Sequence, residues 1–451
     1  MSLGHIKEIE SLRRVMNIVN YKYNSIFEKL LYIIGVLMPC QILAFKFVPI
    51  FLIPLFFYYI LKVFTYKRMR RNNYGFFFAF LLSFSLLVMA FGSLPDEWKE
   101  FAVYKTIMFL FILFIVFFYI TPGEINCLIQ GLARGLEINL FWAIIQIILF
   151  YTANIDINNV IFNQLLDIRD NASSYNTYLN QFAATGLNWH PAQLVPIIIL
   201  AFFFSKNNII KISALVVAVL SSNTTCIFAI IICFLFEAIR YLQELIKKYK
   251  ISYRSILRTM IIVICFGIGV IFLKNSKLVS YIIFRSNNIW SRIISAYTRV
   301  GMNNSTNMHL SYYLNLPSVL KRNGVLAFLF GIGFDSSGYP YYELFGYYPT
   351  LKTWIVESDP INFLVGRGMI WTSFYYSLLF RIANKGMHIT YRFWACVYAL
   401  LFCGILYNNQ FLWVEFLVFI LLIAVNMKMN VFRLDKMKSI PISNEQLIVF
   451  H

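Results

Sequence analysis

Residues 75–94 read GFFFAFLLSFSLLVMAFGSL, an apolar run without a charged side chain. A helix rises about 1.5 Å per residue, so a run of this length can cross the roughly 30 Å hydrocarbon core of a bilayer. The composition of the whole chain agrees, with 60% hydrophobic residues and only 13% charged ones. Such values exclude an ordinary soluble domain. The sequence therefore predicts a helical membrane protein.

Further apolar runs lie on both sides of this one. Some are short, which is typical of broken or re-entrant helices. Together they predict an all-α polytopic membrane protein with about twelve transmembrane helices, in a single integral membrane domain over residues 1–451. The predicted spans are 27–45, 47–65, 75–94, 102–120, 133–151, 190–205, 209–222, 224–240, 257–273, 361–380, 392–407 and 411–428.

The basic residues cluster in alternate connections between these spans. With twelve spans all the clusters fall on one side, which the positive-inside rule makes cytoplasmic. Both termini are then cytoplasmic, with an amphipathic segment at 1–26 and a tail at 429–451. The net charge of +19 is thus an orientation signal and does not predict a nucleic-acid partner. The clusters lie at 7–22, 67–71, 206–211, 240–258, 381–392 and 428–438.

Two long loops, 152–189 and 274–360, fall on the external side. Long ordered loops are usually functional. The second loop holds Arg285, Arg292 and Arg299, spaced seven residues apart. On a helix they would share one face, about 10 Å apart. Guanidinium groups bind phosphate in a bidentate manner, so the row is a candidate diphosphate-binding face. An interfacial helix whose arginines reach lipid headgroups is the alternative interpretation.

Further along the same loop lie His309 and Arg322. An imidazole titrates near neutral pH, which makes His309 a candidate proton acceptor. Arg322 could add a phosphate contact. A packing histidine and a solvated Lys321–Arg322 pair are the alternatives.

Two polar helix starts face this external side. Glu357, Ser358 and Asp359 precede Pro360, and Asn188 and His190 precede another proline. Their carboxylates and amides could line an external cavity. Ser358 or Asp359 could instead cap its helix, with proline in the first turn.

Other charges are predicted to lie within or beside the spans. Arg134 and Glu137 are three residues apart and could pair, and Glu415 lies just below the external surface. Charged residues inside a membrane are functional candidates. The seven cysteines lie in or beside apolar runs and form neither a disulfide framework nor a metal-ligand pattern.

The pattern resembles the O-antigen and capsule repeat-unit polymerases (Wzy type), which are related to the O-antigen ligases. The predicted topology, twelve spans with two large external loops, is similar to that of the family along the whole chain. Local similarity covers about a tenth of it: Ala184-Thr185-Gly186-Leu187 before Asn188-Trp189-His190-Pro191, and Gly331-Ile332-Gly333 before Glu357-Ser358-Asp359-Pro360 and Gly366-Arg367-Gly368.

The resemblance implies a metal-independent glycosyltransferase of the bacterial cytoplasmic membrane that requires no cofactor. It would join polyprenyl-diphosphate-linked repeat units on the outer face, within membrane lipid and with a chain-length regulator protein as a further partner. A sugar hydroxyl attacks the anomeric carbon and diphosphate leaves. The roles expected are diphosphate binding by Arg285, Arg292, Arg299 and Arg322, proton removal by Glu357, His309 or Asp359, and sugar orientation by Arg169, Asn188 and His190.

Two other functions stay open at this point. An O-antigen ligase shares the architecture, but ligases usually carry a histidine before the asparagine at the second helix start, where this chain has Glu357-Ser358-Asp359-Pro360. A lipid-linked oligosaccharide flippase belongs to a different class. It predicts charged residues along a central cavity and short loops, and the long segment 274–360 argues against it.

Overall fold

The computed structural model describes residues 26–45, 48–65, 72–92, 94–153, 155–166, 184–188, 190–205, 207–220, 224–249, 304–346, 356–406 and 411–431. Within these ranges most of the chain is helical, and the only two strands form one short hairpin. In that hairpin β1 (Ala44–Phe45) pairs antiparallel with β2 (Val48–Pro49). It follows the first helix and turns the chain back toward the second.

The helices of the first half follow the apolar runs. The longest, α5, begins eleven residues before the predicted span that starts at 133. The helices are α1 (Ile26–Leu37), α2 (Leu52–Thr65), α3 (Asn73–Phe91), α4 (Asp96–Leu113), continued as a 3-10 turn at Phe114–Phe117, and α5 (Pro122–Ala153).

The second half contains both short apolar helices and long interrupted ones. A π-helical turn at Asn159–Leu165 and a 3-10 turn at Pro191–Gln193 precede α6. The helices are α6 (Leu194–Phe204), α7 (Asn208–Leu220), α8 (Thr224–Tyr249), α9 (Asn304–Phe330), α10 (Gly338–Phe345), α11 (Asp359–Met387), α12 (Tyr391–Leu406) and α13 (Leu412–Asn426).

Apolar helices mark the chain as a membrane-embedded protein. In the described ranges four segments are long and apolar enough to cross a membrane: Asn73–Phe91, Asp96–Phe117, Pro122–Phe150 and Thr225–Glu244. Other apolar helices, such as α6 and α13, have 11 and 15 residues and are shorter than a full span. Large side chains lie on the outer surface, with Phe64 82% and Phe91 89% exposed. Such exposure suits contact with lipid rather than with water.

Close backbone contact joins α1 to α5. Gly131 and Gly135, four residues apart on α5, face α1 at the level of Gly35. A methyl group at Gly131 would lie 2.1 Å from the carbonyl oxygen of Tyr32, and one at Gly135 would lie 2.3 Å from that of Val36. Small residues at this spacing let membrane helices approach closely.

Side-chain contacts define one end of the bundle. Arg381, near the end of α11, donates to the hydroxyl of Tyr74 at the start of α3. Lys385 Nζ lies 3.3 Å from Oδ1 of Asn426 at the end of α13. Tyr391, at the start of α12, donates to the carbonyl oxygen of Phe236 at 2.8 Å. Two of the basic residues used for the orientation prediction, Arg381 and Lys385, therefore lie at this end.

The predicted spans and the observed helices differ in two places. The segment 274–360, predicted as one external loop, contains α9 and α10 in its described part. The span predicted at 257–273 lies outside the described residues, as do nearly all of the predicted segments 1–26 and 429–451. The first helix ends at Leu37 rather than near 45, because the chain turns into the hairpin. The count of twelve spans stays a prediction.

Candidate functional site

The loop after α9 crosses α11 at close range in the second half of the chain. Helix α11 leaves helical geometry at Gly368, whose φ is 82°, and the loop after α9 passes directly beside this break. The backbone N–H of Gly333 donates to the carbonyl oxygen of Gly366 at 2.9 Å, and that of Ile332 donates to Val365 at 3.1 Å. A methyl group at Gly331 would lie 2.3 Å from the carbonyl oxygen of Gly366. Only glycine permits this approach.

Four charged side chains gather at the crossing. Arg367 donates to Glu415 of α13, and both side chains are at most 3% exposed. Asp335, on the loop after α9, lies 4.0 Å from Nη2 of Arg367 and 3.6 Å from Nζ of Lys105 on α4. Helices α4, α11 and α13 and the loop after α9 are thus joined by two cations and two carboxylates. A buried charge needs such partners, since an unpaired one is costly.

Aromatic rings enclose the guanidinium group of Arg367. Its carbon lies 4.2 Å from the ring centroid of Phe363 and 4.3 Å from that of Phe334. The rings of Phe109 and Trp371 lie slightly further away. Cation–π attraction strengthens when the cation is desolvated, so these rings offset part of the cost of burial. The Nε atom of Arg367 is buried and has no hydrogen-bond partner among the described residues.

A chain of polar groups leads from the crossing to the start of α11. Asn362 Nδ2 lies 3.4 Å from Oδ1 of Asp335, and its own Oδ1 accepts from Ser337 at 2.6 Å. The Ser337 hydroxyl oxygen also accepts from the backbone N–H of Val356 at 3.0 Å. The residues just before α11 are therefore positioned by the same loop that carries Asp335.

The capping interpretation of Ser358 and Asp359 is not supported. Ser358 occupies the N-cap position with extended backbone, but its side chain makes no capping bond. Its hydroxyl instead lies 2.8 Å from that of Tyr313 on α9, which donates to the carbonyl oxygen of Ile405. Asp359 is the first helical residue and is buried against Gly404, where a methyl group would lie 2.2 Å from Oδ2. The carboxylate of Asp359 thus occupies the junction of α11 and α12.

Glu357 lies beside this junction and is half-buried. Burial raises the pKa of its carboxyl group above the ordinary value of 4.5. A carboxylate with a raised pKa is a better proton acceptor near neutral pH than an exposed one. The position and the pKa of Glu357 therefore suit the role of a general base.

The other polar helix start is built differently. Gly186, with φ of 61°, donates its N–H to Gln146 at 2.7 Å, and Leu187 donates to Asn139 at 3.2 Å. Asn158 Nδ2 lies 2.9 Å from both the Thr185 hydroxyl and the Gly186 carbonyl oxygen. Side chains from α5 and from Asn158, the residue before the π-helical turn, thus satisfy a backbone loop that lies within the bundle, as an apolar environment requires.

The two residues predicted here as sugar ligands serve this loop. Asn188 is 1% exposed and its Nδ2 donates to Thr185 O at 3.0 Å. His190 is the N-cap of the 3-10 turn: its Nδ1 accepts from the backbone N–H of Ala192 at 3.1 Å, and Gln193 accepts in return. These bonds give both residues a structural role, while a role in binding sugar stays a prediction.

The predicted diphosphate ligands are mostly outside the described part. Arg285, Arg292, Arg299 and Arg169 lie beyond it, and so does the side chain of His309, although its backbone belongs to α9. Arg322 is described: it is partly exposed and pairs with Glu343 of α10. The structure therefore brings Glu357 and Asp359 together but leaves the arginine row a prediction.

Sequence reasoning missed Arg367, Asp335 and Lys105 as parts of one cluster. A signal for Arg367 was present, because an arginine between two glycines inside a predicted span is an intramembrane charge. Glu415 was singled out for the same reason. No local pattern connects them, since Lys105, Asp335, Arg367 and Glu415 are brought together by packing alone.

Among the described residues, no three His, Cys, Asp or Glu side chains are grouped so as to hold a metal ion. In comparisons with known proteins, the chain matches no family model and no curated protein.

Proposed function

We propose that this protein polymerises polyprenyl-diphosphate-linked oligosaccharide repeat units on the outer face of a bacterial cytoplasmic membrane, giving O-antigen or capsular polysaccharide. In each step a hydroxyl of one unit attacks the anomeric carbon of the growing chain. A glycosidic bond forms and the bond to the lipid diphosphate breaks. The acceptor proton passes to a carboxylate of the protein. Arginine side chains, rather than a metal ion, stabilise the leaving group.

One observation carries most of this proposal. A half-buried Glu357 and a buried Asp359 lie at the start of α11, and the polar chain through Asn362 links that start to the cations at the crossing. Proton acceptor and positive charge are thus held by one helix. The reaction needs both, because a hydroxyl must lose a proton while a diphosphate gains charge.

The membrane arrangement supports an outward-facing site. Arg381 and Lys385 lie at one end of α11, and the carboxylates lie at the other. If the basic end is cytoplasmic, as the positive-inside rule expects, the start of α11 faces outward. A lipid-linked donor would then approach from within the outer leaflet.

A transporter of lipid-linked oligosaccharide is the second candidate. The observation that favours it is the buried Arg367–Glu415 pair beside a broken helix. Broken helices at membrane depth and intramembrane charges are common at transport sites. A transporter of this kind predicts short loops, and the long segment predicted at 274–360 argues against it, so polymerase is the preferred proposal.

Glycan length on a deletion strain separates the candidates. Loss of a polymerase should leave glycans of a single repeat unit on the cell surface, and the chain expressed from a plasmid should restore long glycans. Polymer accumulated on lipid with an unmodified lipid core would instead indicate a ligase. Repeat units trapped inside the cell would indicate a transporter and contradict the proposal.

A further inference from the structure

The carboxylate of Asp335 is held less tightly than its burial suggests. Its oxygens lie 4.0 Å from Arg367 Nη2, 3.6 Å from Lys105 Nζ and 3.4 Å from Asn362 Nδ2. Charge-assisted hydrogen bonds are usually about 2.7–2.9 Å long. Asp335 therefore lies between two cations without making a close bond to either.

Arg367 is held firmly on one side only. Nη1 donates to Glu415, while Nη2 faces Asp335 at 4.0 Å. The buried Nε has no partner among the residues that the structure describes. A buried guanidinium donor without an acceptor costs free energy, which an incoming acceptor would recover.

Asp335 lies at the partly exposed edge of the cluster. It lies in the turn between α9 and α10 rather than in a helix, and its φ is 53°, an uncommon value outside glycine. Its side chain is 18% exposed and that of Lys105 is 29% exposed, whereas Arg367 and Glu415 are almost fully buried. The open edge of the cluster is therefore the edge formed by Lys105 and Asp335.

We propose that Lys105 and Arg367 form a binding site for a phosphate-type oxyanion, and that Asp335 occupies this site until the anion displaces it. With Asp335 displaced, Lys105, Arg367 and Glu415 carry one net positive charge, which matches one singly charged phosphoryl group. A phosphoryl oxygen near Arg367 would meet both Nη2 and Nε. Arginine binds phosphate in this bidentate manner, and lysine adds a point charge.

The identity of the anion rests on the proposed function. A lipid-linked diphosphate is the substrate proposed above, and the site would bind one of its two phosphoryl groups. The site itself rests on geometry alone, so binding and polymerisation can fail independently. If lipid binding depends on Lys105 but the protein does not polymerise, the binding site is supported and the proposed function fails. If the protein polymerises but lipid binding does not depend on Lys105, the proposed function is supported and the binding site fails.

Binding to the purified full-length protein in detergent tests the site. The probes are undecaprenyl diphosphate, followed by native mass spectrometry, and inorganic diphosphate as a competitor. Lys105→Gln should weaken binding of the lipid about tenfold or more, because one charge-assisted contact is lost. Asp335→Asn should tighten binding, because the internal competitor loses its charge. Arg134→Gln removes a cation from an exposed pair elsewhere and should leave the affinity unchanged.

The sign of the Asp335→Asn effect decides the matter. Tighter binding supports displacement, whereas weaker or unchanged binding in a folded variant overturns it. Unchanged binding in Lys105→Gln also overturns the site, so a poorly folded Asp335 variant does not leave the proposal untested. Competition by inorganic diphosphate would show that the site binds the anion itself. If the lipid binds and inorganic diphosphate does not compete, the site recognises the diphosphate group in its lipid-linked form.

Discussion

Arg367 of α11 and Glu415 of α13 form an ion pair in which both side chains are at most 3% exposed. They are 48 residues apart in sequence, and the pair fixes the orientation of two helices beside the break at Gly368. Removing one partner leaves the other charge buried without compensation, which costs about 3–5 kcal/mol. The pair therefore matters more for what its disruption costs than for what its formation contributes.

A double-mutant cycle tests this account of the pair. Glu415→Leu and Arg367→Met should each destabilise the protein strongly, and the double variant should be more stable than the sum of the single effects predicts. Thermal unfolding in detergent measures the changes. The exposed pair of Arg134 and Glu137 is the control, with a coupling of about 1 kcal/mol or less. Additive effects at Arg367 and Glu415 would contradict direct pairing.

Gly331→Ala should abolish folded protein. The new methyl group would lie 2.3 Å from the carbonyl oxygen of Gly366, so the loop after α9 would have to separate from α11. Gly346→Ala is the matched control, because Gly346 also has positive φ, at 65°, with no atom within 4 Å of the added carbon. It should cost only about 1–2 kcal/mol of backbone strain. Size-exclusion profiles of fluorescent fusions compare the two, and equal yields would refute the crossing.

Glu357→Gln should stabilise the protein at pH 7 while it reduces activity. Because burial raises the pKa of Glu357 in the folded state, the folded protein binds more protons than the unfolded one between the ordinary value of 4.5 and the raised value. Stability therefore falls as pH rises through that window, and the full cost is present at neutral pH. The variant lacks this cost. Its melting temperature should exceed that of the wild type at pH 7 and equal it below pH 4.5.

Activity and a control complete the Glu357 test. Loss of a general base should reduce the rate by roughly 10²–10⁴. Glu100→Gln, at an exposed position on α4, should change neither stability nor rate. A Glu357→Gln variant that is less stable at pH 7 would show that its carboxylate is stabilised by a charged partner instead. If the Glu357→Gln variant is active, the general base is Asp359 or His309 instead.

Single cysteines test the orientation. Cysteines at 175 and 315 should react with an impermeant reagent on intact spheroplasts, whereas those at 250 and 388 should react only after permeabilisation. Positions 315 and 388 lie in α9 and just after α11, and positions 175 and 250 lie outside the described residues. The native cysteines of the described part are buried and should give little background. Labelling at 388 without permeabilisation would reverse the assigned sides.

Apolar length and the positions of prolines predicted where several of the described helices begin. The starts of α6 and α11 fall within a few residues of Pro191 and Pro360, where a fixed φ and a missing N–H suit the first turn. The same reasoning failed for α9, because this helix contains too many polar residues to be recognised as an apolar run. It contains Asn304, Ser311 and Asn315, and it forms because it packs on α11 and α3.

The sequence predicted two parts of the candidate site: the pair Glu357 and Asp359, and Glu415 as a single intramembrane charge. Glu357 and Asp359 were recognised as a pair because they are two residues apart at a helix start. Lys105, Asp335 and Glu415 come from three separate parts of the chain, and no periodicity relates them. Capping was a reasonable expectation for Ser358, but its hydroxyl group forms a hydrogen bond with that of Tyr313, 45 residues earlier. Long-range packing determined this outcome.

Polymerisation by the purified protein tests the central claim most directly. Lipid-linked repeat units extracted from the deletion strain are mixed with the wild-type protein in proteoliposomes, with and without a chelator, and the glycans are separated by size. We predict a ladder that grows by one repeat unit per step, releases one polyprenyl diphosphate per bond and persists in the chelator. Unchanged single units in the presence of folded protein, or units moved across the bilayer without growth, would contradict the proposal.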